Sequence, residues 1–371
     1  MATYVHQLKD WPHFRWRAAE LAQALAEVRH LQGRLVGRME ALNPQLRAEA
    51  SLATLTAEVV KSSEIEGEKL DPAQVRSSIA RRLKVDIGRG VQSERHVDGV
   101  VEMILDATLN YGEPLTKDRL FGWHAALFPT GRSSMRKITV GAWRPPEADP
   151  MQVVSQKGPI ERVHFEAPSG ARIEPEMAAF LDWFNRADAK LDPVLKAGIA
   201  HFWFVTIHPF EDGNGRIGRA IADMALARSE RSAQRFYSIS AQIWRERDAY
   251  YDHLEETQKG DLDLTAHLQW FIGCFGRALH NAETLLAGAL DKARFWERHA
   301  ATPLNERQRA MLKRLLDGFD GKLTTSKWAK LTKSSPDTAL RDIEGLIKRG
   351  ILAKESAGGR STSYSLVEPA G

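Results

Sequence analysis

His208-Pro209-Phe210-Glu211-Asp212-Gly213-Asn214-Gly215-Arg216-Ile217-Gly218-Arg219 is the stretch on which the reading of the whole chain turns. The segment before it begins at Asp192-Pro193, a capping residue followed by a proline suited to the first helical turn. Leu195, Ile199, Phe202, Trp203, Phe204 and Val205 then make it apolar nearly all round, which predicts a helix buried at the centre of a domain and running to about Ile207. His208 precedes a proline and is biased away from the α region, so the helix should stop there. Phe210 is an apolar anchor for the loop. Gly213 and Gly215 allow unusual backbone angles and close approach of a ligand. A second helix should start near Gly215, its first amide groups forming an anion nest at the positive end of the helix dipole. Arg216 and Arg219, three apart, fall on one face of that helix. Asp212 offers the oxygen that Mg²⁺ prefers beside phosphates, and His208 is a candidate general base. These parts suit phosphoryl or nucleotidyl transfer, in which catalysis is mainly positioning and charge neutralisation. Gly213 to Gly218 also spells G-x-G-x-x-G, but a dinucleotide fingerprint must follow a strand, and here a buried helix and His-Pro-Phe come first.

Outward from this stretch the chain reads as mainly helical. Helix-period segments cover 16–42, a second stretch ending at Gly67, a third opening at Asp71-Pro72, and then 94–110, 116–128, 174–186, 246–257 and 264–300. Gly67 suits a left-handed helix end. Val153-Val154 and Val163-His164-Phe165, with Gly158-Pro159 between them, predict a β-hairpin. After Thr302-Pro303 come helical segments near 305–317, 325–332 and 336–349. Extended runs near Leu352 and Tyr364 follow, joined by Ala357-Gly358-Gly359: three helices and a two-stranded wing, the winged helix-turn-helix order.

Composition bounds the rest. The 371 residues allow two or three domains. One cysteine, Cys274, excludes an intrachain disulfide and a Cys-based metal site, and fits a reducing, cytoplasmic setting. The N-terminus lacks a signal-peptide pattern, and no apolar run approaches the roughly 20 residues needed to span a bilayer, so no membrane partner is expected. From Thr302 onward thirteen Lys/Arg face eight Asp/Glu, while the remainder of the chain is close to neutral. The basic excess points to a polyanion such as DNA as partner of 302–371, through Arg341, Lys348, Arg349 and, on the wing, Arg360. Asp337, Asp342 and Glu344 on the same helix argue for protein docking instead.

The motif fills every fixed position of H-P-F-x-[DE]-G-N-G-R-x-x-R and so resembles the Fic family, a resemblance that extends over roughly residues 50–290. It implies a Fic-type helical core with the hairpin as a flap that pairs with an extended target segment. It further implies AMP transfer from Mg·ATP to a Ser, Thr or Tyr hydroxyl of a target protein. By resemblance His208 would take the hydroxyl proton, Asp212 would hold Mg²⁺, and Gly213, Asn214 and Gly215 would cradle phosphates that Arg216 and Arg219 neutralise. Val163, His164, Tyr250, Tyr251 and Gln258 would line the nucleotide site, although Tyr250 and Tyr251 read equally well as core aromatics. The G-N-G-R form departs from the A-N-K-R of the related Doc kinases.

Ser62-Ser63-Glu64-Ile65-Glu66-Gly67 matches the family's inhibitory pattern [ST]-x-x-x-E-[GN]. Glu66 falls at a helix C-terminus, where the dipole disfavours an anion and a cation partner would relieve it; Arg219 is the expected partner. The expected organisation is therefore 1–90, an N-terminal helical domain with the inhibitory helix; 91–300, the catalytic domain; and 302–371, the winged helix. Self-modification and a homodimer are compatible with it. The competing reading is a DNA-binding regulator whose core serves as a nucleotide sensor, a deAMPylase or another nucleotide transferase.

Overall fold

The computed structural model describes residues 4–147, 150–157, 160–316, 319, 321–355 and 362–367. The Gly158-Pro159 turn, the Ala357-Gly358-Gly359 joint and Arg360 lie outside the described residues. By packing the chain divides into two units, Met1–Leu286 and Ala287–Gly371.

The first unit is built of helices α1 (Ala18–Glu40), α2 (Pro44–Ile65), α3 (Pro72–Leu83), α4 (Arg95–Leu109), α5 (Lys117–Leu127), α6 (Gly170–Asn185), α7 (Pro193–Ile207), α8 (Asn214–Glu230), α9 (Ile239–Arg245) and α10 (Arg247–Gln258), with α11 (Thr265–Arg298) beginning in it. Its strands are β1 (Arg132–Ser133) with β2 (Arg136–Lys137), and β3 (Gln152–Lys157) with β4 (Ile160–Glu166). Sequence periodicity locates most of these helices to within a few residues, but α9 and the β1–β2 hairpin are too short to show one.

The apolar segment before the motif becomes α7, and every residue of it except Pro193 and Lys196 is buried. Asp192 caps it by accepting from the amide of Val194 at 2.7 Å. Aromatic rings surround it. Phe180 of α6 lies edge-on to Trp203 at 5.5 Å, and from the N-terminal segment Phe14 meets Phe202 at 5.9 Å and Trp203 at 5.5 Å. Trp11 donates its indole N–H to Glu176 of α6 at 2.7 Å, holding that segment against the domain. Helix α8 packs on α7 at close range: a Cβ at Gly218 would stand 2.7 Å from Cγ1 of Val205. The third glycine of the G-x-G-x-x-G pattern is therefore a helix-packing residue. The hairpin β3–β4 is antiparallel, with Val153 opposite Phe165 and Val154 opposite Val163, and an irregularity between Val153 and Val154.

The second unit holds α12 (Glu306–Leu316), β5 (Leu323–Thr324), α13 (Thr325–Thr332), α14 (Pro336–Lys348), β6 (Leu352–Lys354) and β7 (Ser363–Leu366) around Met311, Leu312, Trp328, Ile343, Leu346 and Tyr364. The sequence suggests two strands; among the described residues there are three, in the order β5-β7-β6, because Leu323-Thr324 pairs with Ser363-Tyr364. Two residues carry no periodicity, which is why β5 is not legible beforehand.

Phe210, in the loop after α7, is fully buried. Its ring stacks on His124 at 4.2 Å and meets Trp143 at 4.9 Å. Phe210→Ala should therefore cost about 3–5 kcal/mol, read as a lower urea midpoint for the transition of the first unit. An unchanged midpoint would show that the loop is not anchored there.

Candidate active site

Helix α7 ends at Ile207, where the proline at 209 demands it. His208, however, does not take the extended conformation that a pre-proline residue prefers. It sits in the left-handed region at φ 52°, ψ 57°, and its amide still donates to Phe204 at 3.0 Å. Its Nδ1 lies 3.3 Å from the carbonyl of Val205, which can only accept, so Nδ1 carries the proton and Nε2 holds the lone pair. Desolvation first, then the Arg144 guanidinium, push the ring pKa down to about 4. The imidazole is thus neutral, in the form of a base, throughout the neutral range.

The loop is held by its own side chains. Asn214 is buried, accepts from the amide of Phe210 at 3.0 Å and donates to the carbonyl of Phe210 at 2.9 Å. Its side chain braces the loop, and only its backbone is left for a ligand. Gly213 caps α8 at φ 81°, a conformation costly for other residues. Asp212 accepts from the hydroxyl of Ser133 and from the amide of Gly213. Its carbonyl accepts from Nε2 of His124 at 3.2 Å, while Nδ1 of His124 accepts from the amide of Gly141 at 3.1 Å. Glu211 accepts from the amide of Thr139 at 2.7 Å. Among the described residues no group of three His, Cys, Asp or Glu could hold a metal ion. A cation at Asp212 would thus depend on oxygens brought by a ligand, as Mg²⁺ does on phosphates.

The anion nest has an acidic neighbour from the protein itself. Glu66, at the C-cap of α2, reaches over the start of α8 so closely that a Cβ on Gly215 would lie 2.1 Å from its Oε1. The same oxygen pairs with Nη1 of Arg219 at 2.8 Å. Ser62, one turn earlier, accepts from Nε of Arg219 through its hydroxyl at 3.1 Å and from Nη2 through its carbonyl at 2.7 Å. Arg219 is fully buried; burial opposes its charge, yet Glu66 together with Tyr250 and Tyr251 outweighs that and its pKa lies above the ordinary value. Gly67 adopts φ 83°, and the amide of Glu68 then donates to the carbonyl of Ser63 at 3.0 Å. That turn brings Glu68 to Arg216, with which it forms an ion pair. Both arginines of the motif are therefore held by carboxylates from one short turn. The second pair is not legible in sequence, because the pattern that points to Glu66 is silent on position 68.

The expected nucleotide residues divide. Tyr250 is buried, its hydroxyl 3.1 Å from Nε2 of His201, and it packs near Trp270. Tyr251 is half-buried and donates to the carbonyl of Ile65 at the end of α2, 3.3 Å away. Gln258 is buried and donates to Oγ1 of Thr206 at 3.3 Å. On the hairpin, Val153, Val154 and Val163 are 36%, 46% and 36% exposed. His164 and Arg162 both reach Glu255 of α10. Burial works against Glu255, but hydrogen bonds from Lys259, His164 and Arg162 pull its carboxyl down to about 2.

A neutral histidine thus lies beside a glycine-rich loop and the N-terminus of α8, between two largely buried helices. Residues 114–226 match the Fic/DOC family and residues 4–85 a domain of unknown function, DUF4172. Residues 114–226 thus carry a Fic/DOC family domain. It is similar to proteins named protein adenylyltransferase Fic. The one from Aedes aegypti is 28% identical over 209 residues, 53% of this chain and 36% of that protein. The one from Drosophila willistoni is 27% identical over 263 residues, 67% and 46% respectively. The chain thus spans less than half the length of these curated relatives. A Fic family protein from Desulfovibrio desulfuricans G20 shares the fold, with a TM-score of 0.56 at 20% identity over 96% of this chain and 98% of that one. So does a Fic domain containing signaling protein from Bacteroides thetaiotaomicron VPI-5482, with a TM-score of 0.52 at 21% identity over 74% and 97%.

The lowered pKa makes a direct prediction. The His208 ring, followed by NMR, should titrate near pH 4 in the ligand-free protein, so that its base form persists at every pH above that. A midpoint near the ordinary 6.5 would show the ring to be solvated and not held neutral.

Proposed function

We propose that the chain transfers AMP from Mg·ATP to a Ser, Thr or Tyr hydroxyl of a target protein, and that Glu66 restrains it. The observation that carries this reading is the carboxylate of Glu66 at the start of α8, paired with Arg219. It stands where the helix terminus and the guanidinium would hold a phosphate, so the protein's own anion marks the anion site. The names of the relatives, protein adenylyltransferase Fic, point to the same chemistry.

In this reading Nε2 of His208 takes the proton of the target hydroxyl. The hydroxyl oxygen bonds to the α-phosphorus, the bond to the β-phosphate oxygen breaks, and pyrophosphate leaves with the electron pair. The open amides at the start of α8 receive the phosphates, with Arg216 and Arg219 neutralising the charge of the leaving group. Asp212 would hold Mg²⁺, which supplies further charge neutralisation on the phosphates. The exposed valines of β3 and β4 offer an apolar strand surface on which an extended target segment can lie. Self-modification and dimerisation are compatible with this arrangement.

With Glu66 in place Arg219 is engaged, and ATP binds without productive placement of its γ-phosphate. Glu68 engages Arg216 in the same way. Glu66→Gly should raise AMP transfer, followed as label from α-³²P-ATP, by tenfold or more. Glu68→Gln in the same background should raise it a further few-fold. Equal rates in the parent and Glu66→Gly proteins would refute the brake. His208→Ala in the Glu66→Gly background should abolish labelling; undiminished labelling would refute the transfer reaction.

The second unit supports an added role in DNA binding. Asp342 is buried, accepting from Arg307 at 2.7 Å and Asn305 at 2.8 Å, so it is withdrawn from the surface on which Arg341, Lys348 and, at the end of α14, Arg349 are exposed beside Asp337 and Glu344. The full chain should then be retained on DNA at low salt and released as salt rises. Absence of retention at low salt would leave protein docking as the role of this unit.

A further inference from the structure

Arg144 lies in the segment between β2 and β3, outside every motif, and is 2% exposed. Its Nε donates to the carbonyl of His208 at 2.8 Å. Its Nη2 donates to the carbonyl of Pro168, just past the end of β4, at 2.8 Å. Its own amide donates to the carbonyl of Pro209 at 2.8 Å. Nη1 is buried without a hydrogen-bond partner. These bonds bracket the one non-glycine residue of the loop with a positive φ, His208 at 52°. A residue before proline does not adopt that conformation unaided, and the two carbonyls fixed by Arg144 flank the peptide that must be held. A buried guanidinium bonded only to carbonyl oxygens is costly to maintain, and a leucine or methionine would fill the same space without that cost.

We propose that Arg144 is a positioning residue for the transfer reaction. It holds the His208–Pro209 backbone in the conformation that aims the imidazole, and it couples that backbone to the foot of the β3–β4 flap. The inference rests on the transfer reaction proposed above. The charged groups facing His208 are Arg144 itself, Glu66 and Asp212. Burial lowers the Arg144 pKa only to about 10, so the group is cationic at neutral pH and disfavours a second cation on the adjacent ring. Its role is therefore double, orienting the base and keeping it unprotonated.

The test uses the full chain in the Glu66→Gly background, with Arg144→Met and Arg144→Lys. Arg144→Met should lower kcat for AMP transfer thirtyfold or more while the Kd for ATP, from titration calorimetry, stays within twofold. Arg144→Lys, which keeps the charge and one donor, should recover a large part of kcat. By NMR the His208 ring of the ligand-free Arg144→Met protein should titrate at higher pH than the parent, and that of Arg144→Lys near the parent value. Parental kcat in Arg144→Met overturns the proposal. So does a parallel loss of kcat, ATP affinity and melting temperature, which a purely structural arginine would give. If Arg144→Met does not fold, Arg144→Gln decides: kcat lowered tenfold or more with unchanged Kd supports positioning, and parental kcat or a matching loss of affinity overturns it. His208→Ala in the same background separates the two levels, since transfer that survives it removes the reaction itself and not merely the role of Arg144.

Discussion

One buried cation organises the first unit. Arg219 is wholly enclosed between α8, which carries it, and α2, which answers it with a hydroxyl, a carbonyl and a carboxylate. A guanidinium cannot shed its charge in a protein, so the enclosing structure must supply acceptors or the fold pays a heavy desolvation penalty. The requirement dictates where α2 ends: Ser62 and Glu66 have to fall one turn apart on the face toward α8. The same face continues downward. Glu58, a turn before Ser62, accepts from the hydroxyl of Ser238 at 2.7 Å and the amide of Ser240 at 3.1 Å, tying α2 to the start of α9. Asp223, a turn after Arg219, accepts from Arg235 at 2.8 Å. Burial, and then the neighbouring Glu58, push the Asp223 carboxyl well above the usual range. The α2–α8 contact is therefore a polar seam in an otherwise apolar domain, and its upper end is the mouth of the site.

The seam explains how one local geometry can be both a binding site and its own occupant. The open amides at the start of α8 attract an anion by the same physics whether it is a phosphate or a side chain. In this chain the side chains are Glu66 and Glu68, separated by a glycine whose positive φ turns the second carboxylate toward Arg216 while the first faces Arg219. Both pairs sit on one turn, so a movement that frees one arginine disturbs the other. Such coupling keeps both carboxylates at a high effective concentration at the start of α8.

Much of this is legible in the primary structure because it is local. The buried character of α7 follows from its apolar periphery, its start from Asp192-Pro193, its end from the proline at 209, and the anion nest from Gly213 and Gly215. The Glu66–Arg219 pair is legible for a different reason: a glutamate at a helix C-terminus needs a cation, and the motif offers one. The bracing role of the Asn214 side chain is not legible in sequence, because a buried amide finds its best partners in the backbone it sits beside, here both polar groups of Phe210. The contacts of Tyr250 are likewise tertiary: its hydroxyl meets a buried histidine and its ring a tryptophan.

The chemistry available and its local scaffold are written in the chain: which residues can take a proton, carry charge or bend the backbone, and which helices must be buried. Which of those groups meet follows only from the fold. Arg144, Ser133 and Glu68 are 64, 79 and 148 residues from the motif residues they contact, and no spacing rule spans such distances. Hydrophobic period is set by neighbours along a helix, whereas the state of a histidine or arginine is set by whatever the fold brings within a few ångströms. The neutral, left-handed His208 is the clearest case. Its residue type and the proline after it are written in the chain, but its conformation and its low pKa come from Arg144 and burial, which exist only once the domain has closed around it.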